Sequence, residues 1–114
     1  MSHITENEFW RILNEPEPVI TVKYYDSYDF KIYSWYNEKE QLHRENDLPA
    51  VIWYYNNGNI EEERWYQNGK LHRIDGPAFI WYHKDGHIFH KLWYLNDKEY
   101  REDIHRYIIN EDGL

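Results

Sequence analysis

Apolar and polar positions along this chain change period twice. Within residues 3–14 the apolar positions Phe9, Ile12 and Leu13 fall at helical spacing, and Thr5 with Glu8 forms a capping box ahead of them. The run Glu15-Pro16-Glu17-Pro18 ends that segment, because a proline disfavours helix at its own position and the one before. From Val19 the period is two, as in a strand that alternates faces at every residue. A second helical pattern opens at Asp103, with Ile104, Tyr107 and Ile108 on one apolar face, and closes over residues 110–113.

Between the two helical segments the same words recur. Trp-Tyr stands at 35–36, 53–54, 65–66, 81–82 and 93–94. Leu-His-Arg at 42–44 returns at 71–73 and becomes Glu-Tyr-Arg at 99–101, while Pro-Ala stands at 49–50 and 77–78. An offset of about 28–30 residues marks a repeat in which one unit cannot bury its own apolar face and must stack on its neighbours.

Turn chemistry sets the register. Asn57-Gly58 and Asp85-Gly86 suit two-residue type I′ turns, and centring hairpins on them pairs Ala50 with Trp65 and Ala78 with Trp93. Centring the first hairpin on Ser27-Tyr28 pairs Ile20 with Trp35 at the same separation. A second turn follows each hairpin, at Asn68-Gly69 and Asn96-Asp97. The first copy has one extra residue there and no glycine, which predicts a wider turn. The expected architecture is mainly β: one domain over 1–114, with a single extended antiparallel sheet of three consecutive hairpin repeats at about 19–47, 50–76 and 78–103. Short helices at about 3–14 and 103–110 cap it.

Strand alternation then sorts the side chains. One face receives Ile20, Val22, Trp35, Ala50, Ile52, Trp65, Ala78, Ile80, Phe89 and Trp93, an internal packing row with small residues opposite tryptophans. The other receives Val51, Trp53, Tyr55, Ile60, Arg64, Tyr66, Phe79, Trp81, His83, Ile88, His90, Leu92 and Tyr94. Two short helices cover only part of one face, so the Trp53 and Trp81 row is the candidate open surface. Exposed Trp, Tyr and Arg are the residue types that anchor partners.

Composition changes the picture in two ways. Mean hydropathy is low (−1.01) although 19% of residues are aromatic, so the apolar area is carried by rings with polar tips. The formal charge is −8, which argues against a nucleic-acid or anionic-lipid partner, save by mimicry of nucleic acid, and permits a basic one. There is no cysteine and no apolar run long enough to span a membrane; both fit an expectation of a cytoplasmic protein without disulfides.

Candidate chemistry is sparse. His72, Arg73 and Asp75 could suggest catalysis, but their recurrence in each copy suits a structural turn in which Arg73 and Asp75 hold the linker and Gly76-Pro77 sets its bend. His83, His87 and His90 flank one turn without the convergence a metal needs. Glu61, Glu62 and Glu63 read as a solvated strand edge or as an acidic patch for a basic partner. With no phosphate loop, nucleophile elbow or metalloprotease signature, the expectation is a binding protein without cofactor, metal or catalytic residues.

The pattern Trp-Tyr-x-Asn-Gly-x-x-His-Arg-x-Asp-Gly-Pro-Ala over residues 65–78 resembles MORN-type repeats of a divergent kind, and the likeness extends over about residues 30–101. Copies of this form look like those in proteins of phages and large DNA viruses. The resemblance implies consecutive hairpins in one sheet that serve as scaffolds for protein contact. Some members contact lipid, and some bacterial ones are described as antitoxins. His-Arg replaces the usual His-Gly of the family, and Trp-Tyr replaces lighter tyrosines, which weakens any transfer of lipid binding. The function implied is a phage or viral inhibitor of a host protein, acting through Trp53, Tyr55, Arg64, Trp81 and His83 with Glu61, Glu62 and Glu63 as an acidic rim. The alternatives are sequestration of a small nucleotide between rings and Arg64, Arg73 or Arg101, and an antitoxin-like partner of a toxin. A homo-oligomer is compatible with each.

Overall fold

Strand propensity and turn residues together build the sheet. The structure, a computed structural model, describes residues 21–26 and 30–112. The helix expected at about 3–14, and Ile20, lie outside the described residues. Seven strands form one antiparallel sheet: β1 (Thr21–Asp26), β2 (Phe30–Tyr36), β3 (Val51–Tyr55), β4 (Ile60–Arg64), β7 (Phe79–Tyr82), β8 (Ile88–Leu95) and β9 (Lys98–Tyr100), in that spatial order. The short strands β5 (Tyr66–Gln67) and β6 (Lys70–Leu71) pair only with each other. The mainly-β expectation stands, but the single sheet is corrected to a seven-stranded sheet with a separate two-stranded ribbon. The ribbon separates because its two-residue turn closes at once, with Asn68 and Gly69 both at positive φ.

The hairpin registers hold for a reason different from the one expected. Val51 faces Arg64 and Phe79 faces Leu92, on the ladders that the Ala50–Trp65 and Ala78–Trp93 pairings require. The loops, however, are not type I′. Gly58 N–H donates to Tyr55 O (3.0 Å) and Tyr55 N–H to Asn59 O (2.8 Å), with Gly58 at φ +90° and Asn57 not in the positive region. The turn around Gly86 repeats this geometry, with His83 and His87 in the same roles. Each is a three-residue loop with its glycine left-handed, and a bulge further along restores the expected ladder. Those bulges fall at the register shifts beside Glu61 and Phe89, and Phe89 is two-thirds exposed (66%).

In the first hairpin Trp35 faces Val22 rather than Ile20. A slip of two keeps every side chain on its expected face, so alternation alone could not have detected it.

The core lies in the middle strands. Ala50, Val51, Ile52, Trp65, Ala78, Phe79 and Ile80 are buried, and Ala50 and Ala78 have no exposed surface. Trp35 N–H donates to Ala50 O and Trp65 N–H to Ala78 O (both 2.8 Å), so each alanine meets a tryptophan strand across the boundary between copies. With no side chain beyond Cβ, Ala78 leaves room for the Trp65 indole in the same buried cluster.

One helix closes the described chain, α1 (Glu102–Asp112), slightly longer than the 103–110 expected. Its expected apolar face is not the buried one, since Ile104 and Tyr107 are exposed. His105 is buried instead, and its Nε2 bonds Arg73 O at 2.7 Å. The linker carbonyl needs a donor, and an imidazole supplies one where isoleucine cannot. Asp103 lies inside the helix and pairs with Arg101 rather than preceding the first turn.

Candidate functional site

The Leu-His-Arg words prove to be staples between copies. Leu42 O accepts Gly69 N–H (2.8 Å), and His43 Nδ1 accepts Asn68 N–H (3.0 Å). One copy on, Leu71 O accepts Asp97 N–H (2.8 Å), and His72 Nδ1 accepts Asn96 N–H (3.1 Å). Each turn is thus finished by acceptors from the copy before it. Burial first, and then His105, hold the His72 imidazole below its ordinary pKa. The Asn96 N–H aimed at Nδ1 acts in the same direction, because it bonds only the unprotonated nitrogen.

The arginines complete the unit. Arg44 lies over the Trp35 ring at 3.8 Å from the centroid, and Arg73 over Trp65 at 3.9 Å. Arg44 Nη1 donates to Pro49 O and Arg73 Nη1 to Pro77 O, both at 3.1 Å. Asp75 is not the partner of Arg73. The guanidinium instead grips Asp47 of the preceding linker, at 2.9 and 3.3 Å. Gly76 also has a reason other than a bend. A Cβ there would lie 3.0 Å from Arg73 Nη1 and 3.1 Å from Cζ, so glycine keeps the space for the guanidinium.

The candidate binding residues divide between locations. Trp53, Glu62, Trp81 and His90 stand in one cross-strand row over β3, β4, β7 and β8. Trp81 stacks on Phe79 (centroids 3.6 Å, planes within 19°), and its Nε1 donates to Glu62 Oε1 at 2.8 Å. Arg64 takes the other Glu62 oxygen at 2.9 Å while covering the Phe79 ring. Glu62 is therefore an organiser of the row rather than a free acid. Trp53 and Trp81 are both half-buried.

The remaining residues sit elsewhere. Glu63 is on the opposite face, where it accepts a short hydrogen bond from Tyr82 OH. Burial and that carboxylate push the Tyr82 phenol well above its ordinary range. Tyr55 OH donates to Tyr82 O (2.7 Å), fastening neighbouring hairpins near their tips. Glu61 lies at the bulge, its pKa raised first by burial and then by Glu62, with Lys84 opposing. His83 is exposed and meets Phe89 edge to face at 4.9 Å.

Sequence reasoning missed a cleft of about 480 Å³ on the face opposite the Trp53–Trp81 row, lined by Lys31, Tyr33, Trp35, Arg44 and Tyr54 among others. Arg64, Arg73 and Arg101, the cations first considered for a nucleotide, are each ion-paired, with Glu62, Asp47 and Asp103. A signal existed. The acid that neutralises Arg73 stands 26 positions before it, and the corresponding position before Arg44 is Pro18.

The fold and these surfaces define a mainly β, antiparallel-sheet protein whose cross-strand row holds Trp81 by a hydrogen bond to Glu62. No family model matches the chain, and neither a curated protein nor a solved structure matches it. Among the described residues no helix is long and apolar enough to cross a membrane.

Proposed function

We propose that this chain is a non-enzymatic protein-binding module of three MORN-type repeats. Its partner is a host protein in the cytoplasm, which a phage or viral inhibitor of this kind blocks. The observation that carries the reading is the cross-strand row of Trp53, Glu62, Trp81 and His90, pre-arranged by the Trp81–Glu62–Arg64 hydrogen bonds. Large rings held in place lose little freedom on binding, which favours anchoring over non-specific adhesion. The helix α1 packs mainly on β8 and bonds the Arg73 carbonyl. Glu61 at the bulge and the excess of negative charge favour a partner with a basic rim.

The test is affinity capture from host lysate with the wild-type chain and with Trp53→Tyr and Trp81→Tyr, below the melting temperature of all three. A protein retained by the wild type and lost from both variants supports the reading. Equal retention by all three, or none by any, refutes it.

A further inference from the structure

The cleft opposite the aromatic row is set apart by its charge. Five arginines lie among the described residues, and four hold a carboxylate oxygen: Arg64 with Glu62, Arg73 with Asp47, Arg101 with Asp103 and Arg106 with Glu102, at 2.5–3.2 Å. Arg44 has no such partner among the described residues. Its guanidinium is half-buried, lies on Trp35, and makes one hydrogen bond there, from Nη1 to Pro49 O. A guanidinium carries five N–H donors, so most of its fork has no partner among the described residues. Burial also lowers the Arg44 pKa, as expected of a cation that has lost water. Lys31 lines the same cleft and likewise forms no ion pair with a described residue.

The rest of the lining is aromatic. Tyr33 and Trp35 lie along β2 with planes within 25°, and Tyr54 stands edge-on to Tyr33 at 6.0 Å. Flat rings beside two cations suit a ligand that is both aromatic and anionic. The volume of about 480 Å³ is that of a small-molecule site. A chain of net charge −8 repels a long polyanion, but a local cation can accept a single small one.

We propose that this cleft binds a mononucleotide-class ligand, its base against Tyr33 and Tyr54 with Lys31 at the base edge, and its phosphate at Arg44. The site uses the face opposite the protein-binding row, so the two readings stand or fall separately.

The experiment is calorimetric titration of the full chain with AMP and UMP, alongside adenosine, inorganic phosphate and a 20-nucleotide single strand, with NMR to locate the site. Binding of either mononucleotide is expected, at least ten-fold tighter than adenosine or phosphate, with shifts at the Trp35 indole and the Tyr33 and Tyr54 amides. Arg44→Gln and Lys31→Gln should each weaken it about ten-fold or more, the usual loss for a charge-assisted contact. Arg44 also props Trp35, so exposed Lys31 supplies the variant that leaves the fold intact. Lys91→Gln, beside Trp93, should change nothing. No mononucleotide binding at millimolar concentration, binding that Lys31→Gln leaves unaltered, or tighter binding of the oligonucleotide would overturn the proposal.

Discussion

Replacing Arg73 by alanine removes three interactions at once, and the molecule contains its own control. The guanidinium lies on Trp65, bonds Pro77 O and grips Asp47. Its side chain is 18% exposed, so the ring contact and the carbonyl bond are close to full value, about 1 and about 1.5 kcal/mol. Asp47 is 41% exposed, and solvent screening holds the ion pair to about 0.5 kcal/mol. Arg73→Ala should therefore cost about 3 kcal/mol, or about 15 °C in melting temperature for a domain of this size. Arg44 makes the same ring and carbonyl contacts without an acid among the described residues, so Arg44→Ala should cost slightly less. Arg73→Lys should recover little, because an ammonium cannot span the ring, the carbonyl and the carboxylate together. Urea denaturation of the three variants, with Asp47→Ala to close a double-mutant cycle, provides the assay. An Arg73→Ala protein that unfolds with the wild type would refute the staple and return the His-Arg-x-Asp sequence to consideration as a functional site.

Three further outcomes follow from the same geometry. Gly76→Ala should cost about 1–2 kcal/mol in urea denaturation by displacing the Arg73 guanidinium, and should become nearly neutral in an Arg73→Ala background. Lowering the pH should destabilise the fold through His72. Its folded pKa lies below its ordinary value of about 6.5, so the unfolded chain takes up the proton more readily, and stability falls as pH drops through 6.5 towards the folded pKa. Urea midpoints at pH 7.5 and 5 should differ, and His72→Asn, which keeps an acceptor oxygen, should narrow the gap. Trp65→Phe should cost about 2–3 kcal/mol by thermal denaturation, since it opens a void in the core and removes the Nε1 bond to Asp47 O. Trp81→Tyr, at a half-buried site, should cost about 1 kcal/mol.

Much of the fold was legible because turn residues and alternation agree with each other. The Asn-Gly and Asp-Gly positions located two hairpins, and the ladders through Val51–Arg64 and Phe79–Leu92 follow from them. Loop length was not legible, because a three-residue loop plus a bulge yields the same ladder as a two-residue loop. Only the residues near the tips, Glu61 and Phe89, feel the difference. The first hairpin lacks a glycine to mark its turn, and its register slipped by two. The pairing of Arg73 with Asp47 was hidden for another reason: Asp75 is nearer in sequence, and only the stacking of one copy on the next brings the earlier acid into reach. The cleft escaped notice because its signal, Pro18 standing where Asp47 stands one copy later, means something only once the Arg73–Asp47 pair is known.

The staple has a direction, and that bears on where such an array can be extended. The turns at Asn68 and Asn96 borrow their acceptors from the copy on the N-terminal side: His43 serves Asn68, and His72 serves Asn96. At the corresponding place in the Glu99-Tyr100-Arg101 word stands Tyr100, whose ring has no acceptor nitrogen to offer a further turn. There the chain leaves the sheet for α1, and His105 reaches back to the Arg73 carbonyl. One residue type thus acts as the stop sign of a growing row. A lengthened array would need histidine restored at position 100 before another copy could seat.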